Sequence, residues 1–160
     1  MILCLDAGNS RLKYGLFDSG TWRTQGALDH RDFDEQLGRL DQVPTRIVAC
    51  NVAGAAPRQR IENYASRLKL PLQWLTSSAT ACGVTNGYDI PEQLGADRWA
   101  ALIGARSLHP GSAVVVMAGT ATTIDALNGQ GVFLGGLILP GLKLMRAALA
   151  HNTADLPHAA

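Results

Sequence analysis

The sequence predicts an α/β protein in which a β-β-β-α-β-α-β unit occurs twice, the second copy being incomplete. Three observations predict it. The stretch Leu3-Cys4-Leu5-Asp6-Ala7-Gly8-Asn9-Ser10 returns at an offset of 111 as Val114-Val115-Val116-Met117-Ala118-Gly119-Thr120-Ala121, and at the same offset the turn Asp18-Ser19-Gly20 falls on Gly129-Gln130-Gly131. Each copy reads as an apolar strand, a small-residue turn, a second strand, a tight turn and a third strand. The first copy ends in alternating strand and helix patterns, which argue for parallel strands covered by helices.

Taken in order, Ile2–Asp6, Leu12–Phe17 and Thr21–Gly26 are expected as three strands of an antiparallel meander. Asp32–Leu40 carries Phe33, Leu37 and Leu40 at helical spacing, with acidic residues at the dipole-favoured N-terminal end. Arg46–Val52 is a buried strand, Pro57 opens a helix running to about Leu68, and Leu72–Leu75 is a further strand. Thr85–Pro110 links the copies as a loop, Asn86 to Pro91, followed by a helix, Glu92–Leu108. Strands at Ala113–Met117, Thr122–Leu127 and Val132–Ile138 and a helix to about Ala150 complete the second copy as far as it goes. The expected domains are therefore residues 1–110, including the crossover helix, and residues 111–160.

At 160 residues, with 47% hydrophobic and 17% charged side chains, the chain has enough apolar content for one core or two small ones. A net charge of +1 without a basic block gives little support to a nucleic-acid surface. Cys4, Cys50 and Cys82 are odd in number and widely spaced; Cys4 and Cys50 sit in apolar runs and read as small buried thiols. Asp6 interrupts the first apolar run, and no stretch approaches the ~20 residues of a membrane span, so a cytoplasmic protein is expected without membrane partners. His151 and His158 lack metal-ligand spacing and read as polar tail residues.

Chemistry concentrates at two places. Asp6-Ala7-Gly8-Asn9-Ser10, with Lys13 on the next strand, puts a carboxylate at a strand end beside a turn able to approach a phosphate. Asp6 can hold Mg²⁺ through water, the Gly8–Ser10 backbone and hydroxyl can bind phosphate oxygens, and Lys13 supplies a cation. A plain hairpin cap with a solvated Lys13 fits the local residues as well, but the recurrence of the turn at Gly119-Thr120 favours a pair of phosphate-binding turns. The second place is Gly95-Ala96-Asp97-Arg98 at a helix start. These residues fit either a surface ion pair or a general base, Asp97, with Arg98 orienting an acidic substrate. Tyr88 fits a pocket wall or simple packing.

Together these residues resemble the type III pantothenate kinases of the acetate kinase, sugar kinase, heat-shock and actin superfamily. That family carries D-x-G-N-[ST]-x-x-K, Y-x-x-P, G-x-D-R, D-x-G-T-A-x-T-x-D and G-G-x-I-x-P-G in order. Here they stand as Asp6 to Lys13, Tyr88 to Pro91, Gly95 to Arg98, Met117 to Asp125 and Gly135 to Gly141. The sequence is particularly similar to the betaproteobacterial branch that includes the Bvg accessory factor. The resemblance covers about the first two thirds of a typical member. It implies an actin-like ATPase (ribonuclease H-like) fold and ATP-dependent phosphorylation of pantothenate, the first step of coenzyme A synthesis.

By the same resemblance, Asp6, Ala7, Gly8, Asn9, Ser10, Arg11, Leu12 and Lys13 bind ATP together with Gly119 and Thr120, and Asp6 serves the metal. Asp97 is the catalytic base, and Tyr88, Gly95, Ala96, Asp97 and Arg98 hold pantothenate. Mg²⁺, a monovalent cation (K⁺ or NH₄⁺) and a homodimer belong to the same set of implications. Two departures stand out. Met117 occupies the position of the family's aspartate, and a thioether does not replace a carboxylate as a hard-cation ligand. The family's last third, with its adenosine contacts, has no counterpart here, so the chain alone is expected to be an incomplete enzyme with weak ATP binding at best. A non-catalytic regulatory protein on the same scaffold is the alternative.

Overall fold

The computed structural model describes residues 1–152, so the expectation for His158 lies outside the described residues. The chain forms two compact units, Met1–Thr76 with Gly95–Ala100, and Ser77–Leu94 with Ala101–Ala160. The expected boundary at residue 110 followed the sequence repeat; compactness instead groups Ser77–Leu94 with the second copy and the start of the crossover helix with the first.

In the first unit, β1 (Ile2–Ala7), β2 (Leu12–Asp18) and β3 (Thr21–Leu28) form the expected meander. A 3-10 turn at His30–Asp32 and a short helix α1 (Phe33–Gly38) lead to β4 (Arg46–Asn51), helix α2 (Ala55–Leu68) and β5 (Leu72–Trp74). The sheet order is β3-β2-β1-β4-β5, antiparallel between β1 and β2 and parallel from β1 through β4 to β5. Strand side chains alternate between faces. Leu3, Leu5 and Ala7 accordingly point into a core shared with Phe33 and Leu37 of α1 and Ile61, Tyr64 and Ala65 of α2. Phe33 and Tyr64 meet edge to face at 5.4 Å. The opposite face of β1 carries Cys4 and Asp6.

Pro57 lies in the first turn of α2, where its missing N–H costs nothing. That helix starts two residues earlier than the proline suggested. It ends at Lys69 in the left-handed conformation, φ 55°.

The second unit contains β6 (Thr80–Ala81), β7 (Val84–Asn86), β8 (Ala113–Ala118), β9 (Ala121–Leu127), β10 (Val132–Pro140) and helix α4 (Leu142–Asn152). Its sheet order is β6-β7-β10-β9-β8, with β10 parallel to β7. The β6–β7 hairpin was not expected. Its two-residue turn is Cys82-Gly83, both at positive φ (49° and 78°), the conformation that favours tight hairpins, and a cysteine there disguises the signal.

The crossover helix α3 spans Ala96–Leu108 rather than starting at Glu92. Residues Pro91–Gln93 make a separate 3-10 turn and Leu94 is extended. Side chains explain the late start: Asn86 Nδ2 donates to the Pro91 carbonyl at 3.1 Å and Ser77 Oγ to the Leu94 carbonyl at 2.6 Å, satisfying acceptors that a longer helix would otherwise use.

Strands β8, β9 and β10 reproduce the meander of β1, β2 and β3. The burial does not follow. Leu3 and Leu5 are 0% and 3% exposed, whereas their repeat equivalents Val114 and Val116 are 69% and 58% exposed. Among the described residues β8 pairs with β9 alone, while β1 is flanked by both β2 and β4. No described helix is long and apolar enough to cross a membrane.

Candidate active site

In the first unit, strand register assembles the chemistry around Asp6. Antiparallel pairing sets Lys13 opposite Asp6, and parallel pairing sets Cys50 beside it on β4. Lys13 Nζ lies 3.0 Å from Asp6 Oδ2, and Cys50 Sγ donates to Asp6 Oδ1 at 3.4 Å. Lys13 is 67% exposed, so the pair adds little to stability and leaves the ammonium accessible to a ligand. Burial pushes the Cys50 thiol far above its ordinary value of 9.0; the charge of Asp6, its hydrogen bond and the charge of Asp97 act in the same direction, against Lys13. The thiol therefore stays protonated and remains a donor.

The turn after β1 is closed by a bond from the Gly8 N–H to the Arg11 carbonyl, 3.1 Å. A Cβ at Gly8 would lie 3.3 Å from that carbonyl oxygen. Asn9, Ser10 and Arg11 are exposed, while Ala7 and Leu12, at 0% and 1% exposure, anchor both ends of the turn in the core. Of the expected nucleotide-binding residues, Ala7 and Leu12 can thus offer only backbone.

At the start of α3, Asp97 Oδ1 accepts the Arg98 N–H at 2.8 Å, using one of the donors a helix N-terminus leaves open. The carboxylate folds over Gly95, where a Cβ would stand 2.7 Å from Oδ1; Ala96 separates the two. Arg98 is buried at 5% exposure. Asp97 belongs to the same compact unit as Asp6 and Cys50, and its charge is felt at Cys50. An open depression of about 300 Å³ bordered by Arg11, Tyr14, Asp29 and Gln36 includes neither carboxylate, and the chemistry of the residues outweighs the size of that hollow.

The remaining expected residues belong to the second unit. Gly119 donates to the Ala121 carbonyl at 3.0 Å, and Gly141 donates to the Thr120 carbonyl at 2.9 Å. A Cβ at Gly141 would run into the carbonyl oxygens of Gly119 and Thr120. Met117 pairs in register with Thr123, so the counterpart of the Asp6–Lys13 pair is a thioether facing a hydroxyl. Thr123 is 7% exposed, and its Oγ1 has no hydrogen-bond partner among the described residues. Tyr88 packs on Phe133 at 5.2 Å and donates its N–H to Asn86 Oδ1.

Two residues around the first turn escaped the sequence reading. Cys50 was read only as a buried thiol; its place follows once β1 and β4 are paired in parallel register. His30 had no local signal. Its Nε2 lies 2.7 Å from the Gly8 carbonyl oxygen, and Arg60 of α2 donates to the carbonyl of His30.

A family model described as type III pantothenate kinase matches residues 2–160. The type III pantothenate kinase of Dechloromonas aromatica is 48% identical over 99% of this chain, which covers 68% of that relative. The one from Aromatoleum aromaticum is 50% identical over 99% of this chain and 66% of its own length. The chain thus spans about two thirds of the length of these curated relatives. Among solved structures, a Campylobacter jejuni protein described as a Baf family transcriptional activator matches with a TM-score of 0.61 at 25% identity, covering 97% of this chain and 62% of its own. A Sinorhizobium meliloti structure described as a 2-dehydro-3-deoxygalactonokinase shares the fold, with a TM-score of 0.55 at 15% identity, over 96% of this chain and 57% of that one.

Proposed function

The chain belongs to the type III pantothenate kinase family, with its actin-like fold, and we propose that its residues carry out ATP-dependent phosphorylation of pantothenate to 4'-phosphopantothenate, the first step of coenzyme A biosynthesis. The observation that carries the reading is the Asp6–Lys13 pair at the end of β1, beside the Gly8–Arg11 turn, with Cys50 donating to the same carboxylate. Asp6 through Lys13, with Gly119 and Thr120, hold the ATP phosphates. Tyr88 and Gly95 through Arg98 hold pantothenate, and the Arg98 guanidinium suits its carboxylate.

Asp97 is the base. Its Oδ1 is occupied by the Arg98 N–H, which fixes the carboxylate and leaves Oδ2 to take the proton of the terminal hydroxyl. The hydroxyl oxygen bonds to the γ-phosphorus as the bond from that phosphorus to the bridging oxygen of ADP breaks, and ADP leaves. Lys13 neutralises charge on the transferring oxygens, and positioning supplies most of the acceleration.

Asp6 fits Mg²⁺. Its carboxylate is 30% exposed, and among the described residues no three His, Cys, Asp or Glu side chains gather into a cage. Such a single carboxylate suits an ion that keeps its waters and binds phosphates. Bound there through water, Mg²⁺ would offset charge on the β- and γ-phosphates. The monovalent cation fits less well, because Met117 and Thr123 offer no carboxylate at the second turn. A homodimer acting in the cytoplasm completes the proposal. The regulatory alternative finds an echo in the name of the Campylobacter jejuni structure, but a scaffold has no physical need for the Asp6, Lys13 and Asp97 set.

Mass spectrometry after incubation with Mg·ATP and pantothenate tests the reading. In a form extended to the length of the relatives the expected product is 4'-phosphopantothenate, sharply reduced by Asp6→Asn. Product formation indifferent to that substitution overturns the site.

A further inference from the structure

His30 stands two residues beyond β3 and belongs to no motif, yet it reaches back to the phosphate turn. A carbonyl only accepts, so the 2.7 Å contact to Gly8 requires a proton on His30 Nε2. The backbone of His30 is itself tied to α2, because Arg60 donates to the His30 carbonyl. In a planar trans peptide the C=O and the following N–H point in opposite directions. Drawing the Gly8 carbonyl toward His30 therefore aims the Asn9 N–H away from it. The Gly8 N–H is already committed to Arg11, so the plane between Gly8 and Asn9 is the part of the turn that this one bond orients.

We propose that His30 is a positioning residue for phosphate binding: it locks the Gly8–Asn9 peptide so that the Asn9 N–H is presented to the anion without having to be ordered on binding. The inference rests on the reading that this turn holds the ATP phosphates. It adds a residue to that site without changing the reaction.

Backbone ¹⁵N relaxation by NMR, combined with Mg·ATP titrated into the millimolar range, tests it on wild type, His30→Ala and His30→Gln. Glutamine carries an N–H donor at about the reach of Nε2. One hydrogen bond corresponds to an effect of about three- to tenfold. His30→Ala is expected to lower the order parameters of the Asn9 and Ser10 amides and to weaken Mg·ATP binding by about that factor. Amides of α2 and β4 should be unchanged, and His30→Gln should restore both readouts. Wild-type amide order and affinity in His30→Ala, or equal losses in the glutamine variant, overturn the inference and leave the phosphate reading standing. If Mg·ATP shifts no turn amide even in wild type, the phosphate reading itself fails and the role of His30 in binding falls with it.

Discussion

Replacing Asp97 by asparagine separates its two roles. Oδ1 takes the Arg98 N–H at 2.8 Å, and the asparagine carbonyl oxygen can take the same bond. What disappears is the ability of the other oxygen to accept a proton, together with the negative charge. General-base work is typically worth ~10²–10⁴ in rate, or about 2.7–5.4 kcal/mol of barrier. The charge lost from the helix N-terminus is worth only ~0.3–1 kcal/mol of stability. Turnover of Asp97→Asn should therefore fall by roughly a hundredfold to ten-thousandfold, while the unfolding free energy shifts by no more than about 1 kcal/mol.

Asp97→Ala removes the acceptor as well and should cost a further ~0.5–2 kcal/mol of stability, as the loss of a helix cap does. The assay is ADP release at saturating pantothenate, beside urea unfolding followed by circular dichroism. It is run on this chain and on a form extended to the length of its relatives. An Asp97→Asn protein that keeps more than about a tenth of wild-type turnover refutes the base assignment, since even the lower bound is a hundredfold.

Thr123→Val removes a buried hydroxyl that has no partner among the described residues, so stability should hold or rise by about 1 kcal/mol in urea unfolding; a loss of that size would mean the hydroxyl is bonded. Gly141→Ala forces a methyl against the Gly119 and Thr120 carbonyls, so the second turn must move: ATP affinity should drop while the first unit keeps its amide exchange pattern, and an unaltered affinity would show that this turn does not touch the nucleotide. The folded Cys50 thiol titrates above its ordinary value of 9.0, so the unfolded chain loses its proton first. This contribution to stability is intact below about pH 9 and declines above it, by up to ~1.4 kcal/mol per pH unit. Cys50→Ser should flatten the alkaline fall seen in pH-dependent unfolding. Tyr64 and Cys4, also raised by burial, account for the residue, and an unchanged slope would contradict the burial argument.

What could be read from the sequence was whatever local pattern determines. Alternating Leu3, Leu5 and Ala7 announced β1, and the repeat at 111 announced a second meander with the same order. Elements that depend on distant partners were harder to read. The start of α3 is set by Asn86 and Ser77 capturing the Pro91 and Leu94 carbonyls, contacts that no window along the chain contains. The β6–β7 hairpin hid behind a cysteine in a left-handed position usually given to glycine or asparagine. At the site, Asp6 and Lys13 were legible because a hairpin register links them. Cys50 needed the parallel β1–β4 pairing, and His30 needed a contact 22 residues away in sequence.

The proposed function requires one chain to bring nucleotide phosphates and the pantothenate hydroxyl to the same carboxylates. Relaxation of pantothenate labelled with ¹³C at its terminal hydroxymethyl carbon, measured with Mn·ATP in place of Mg·ATP, addresses it directly. Strong protein-dependent broadening of that carbon, abolished by Asp6→Asn, is the predicted result. Pantothenate that binds while its hydroxymethyl carbon stays sharp in the presence of bound Mn·ATP would contradict it.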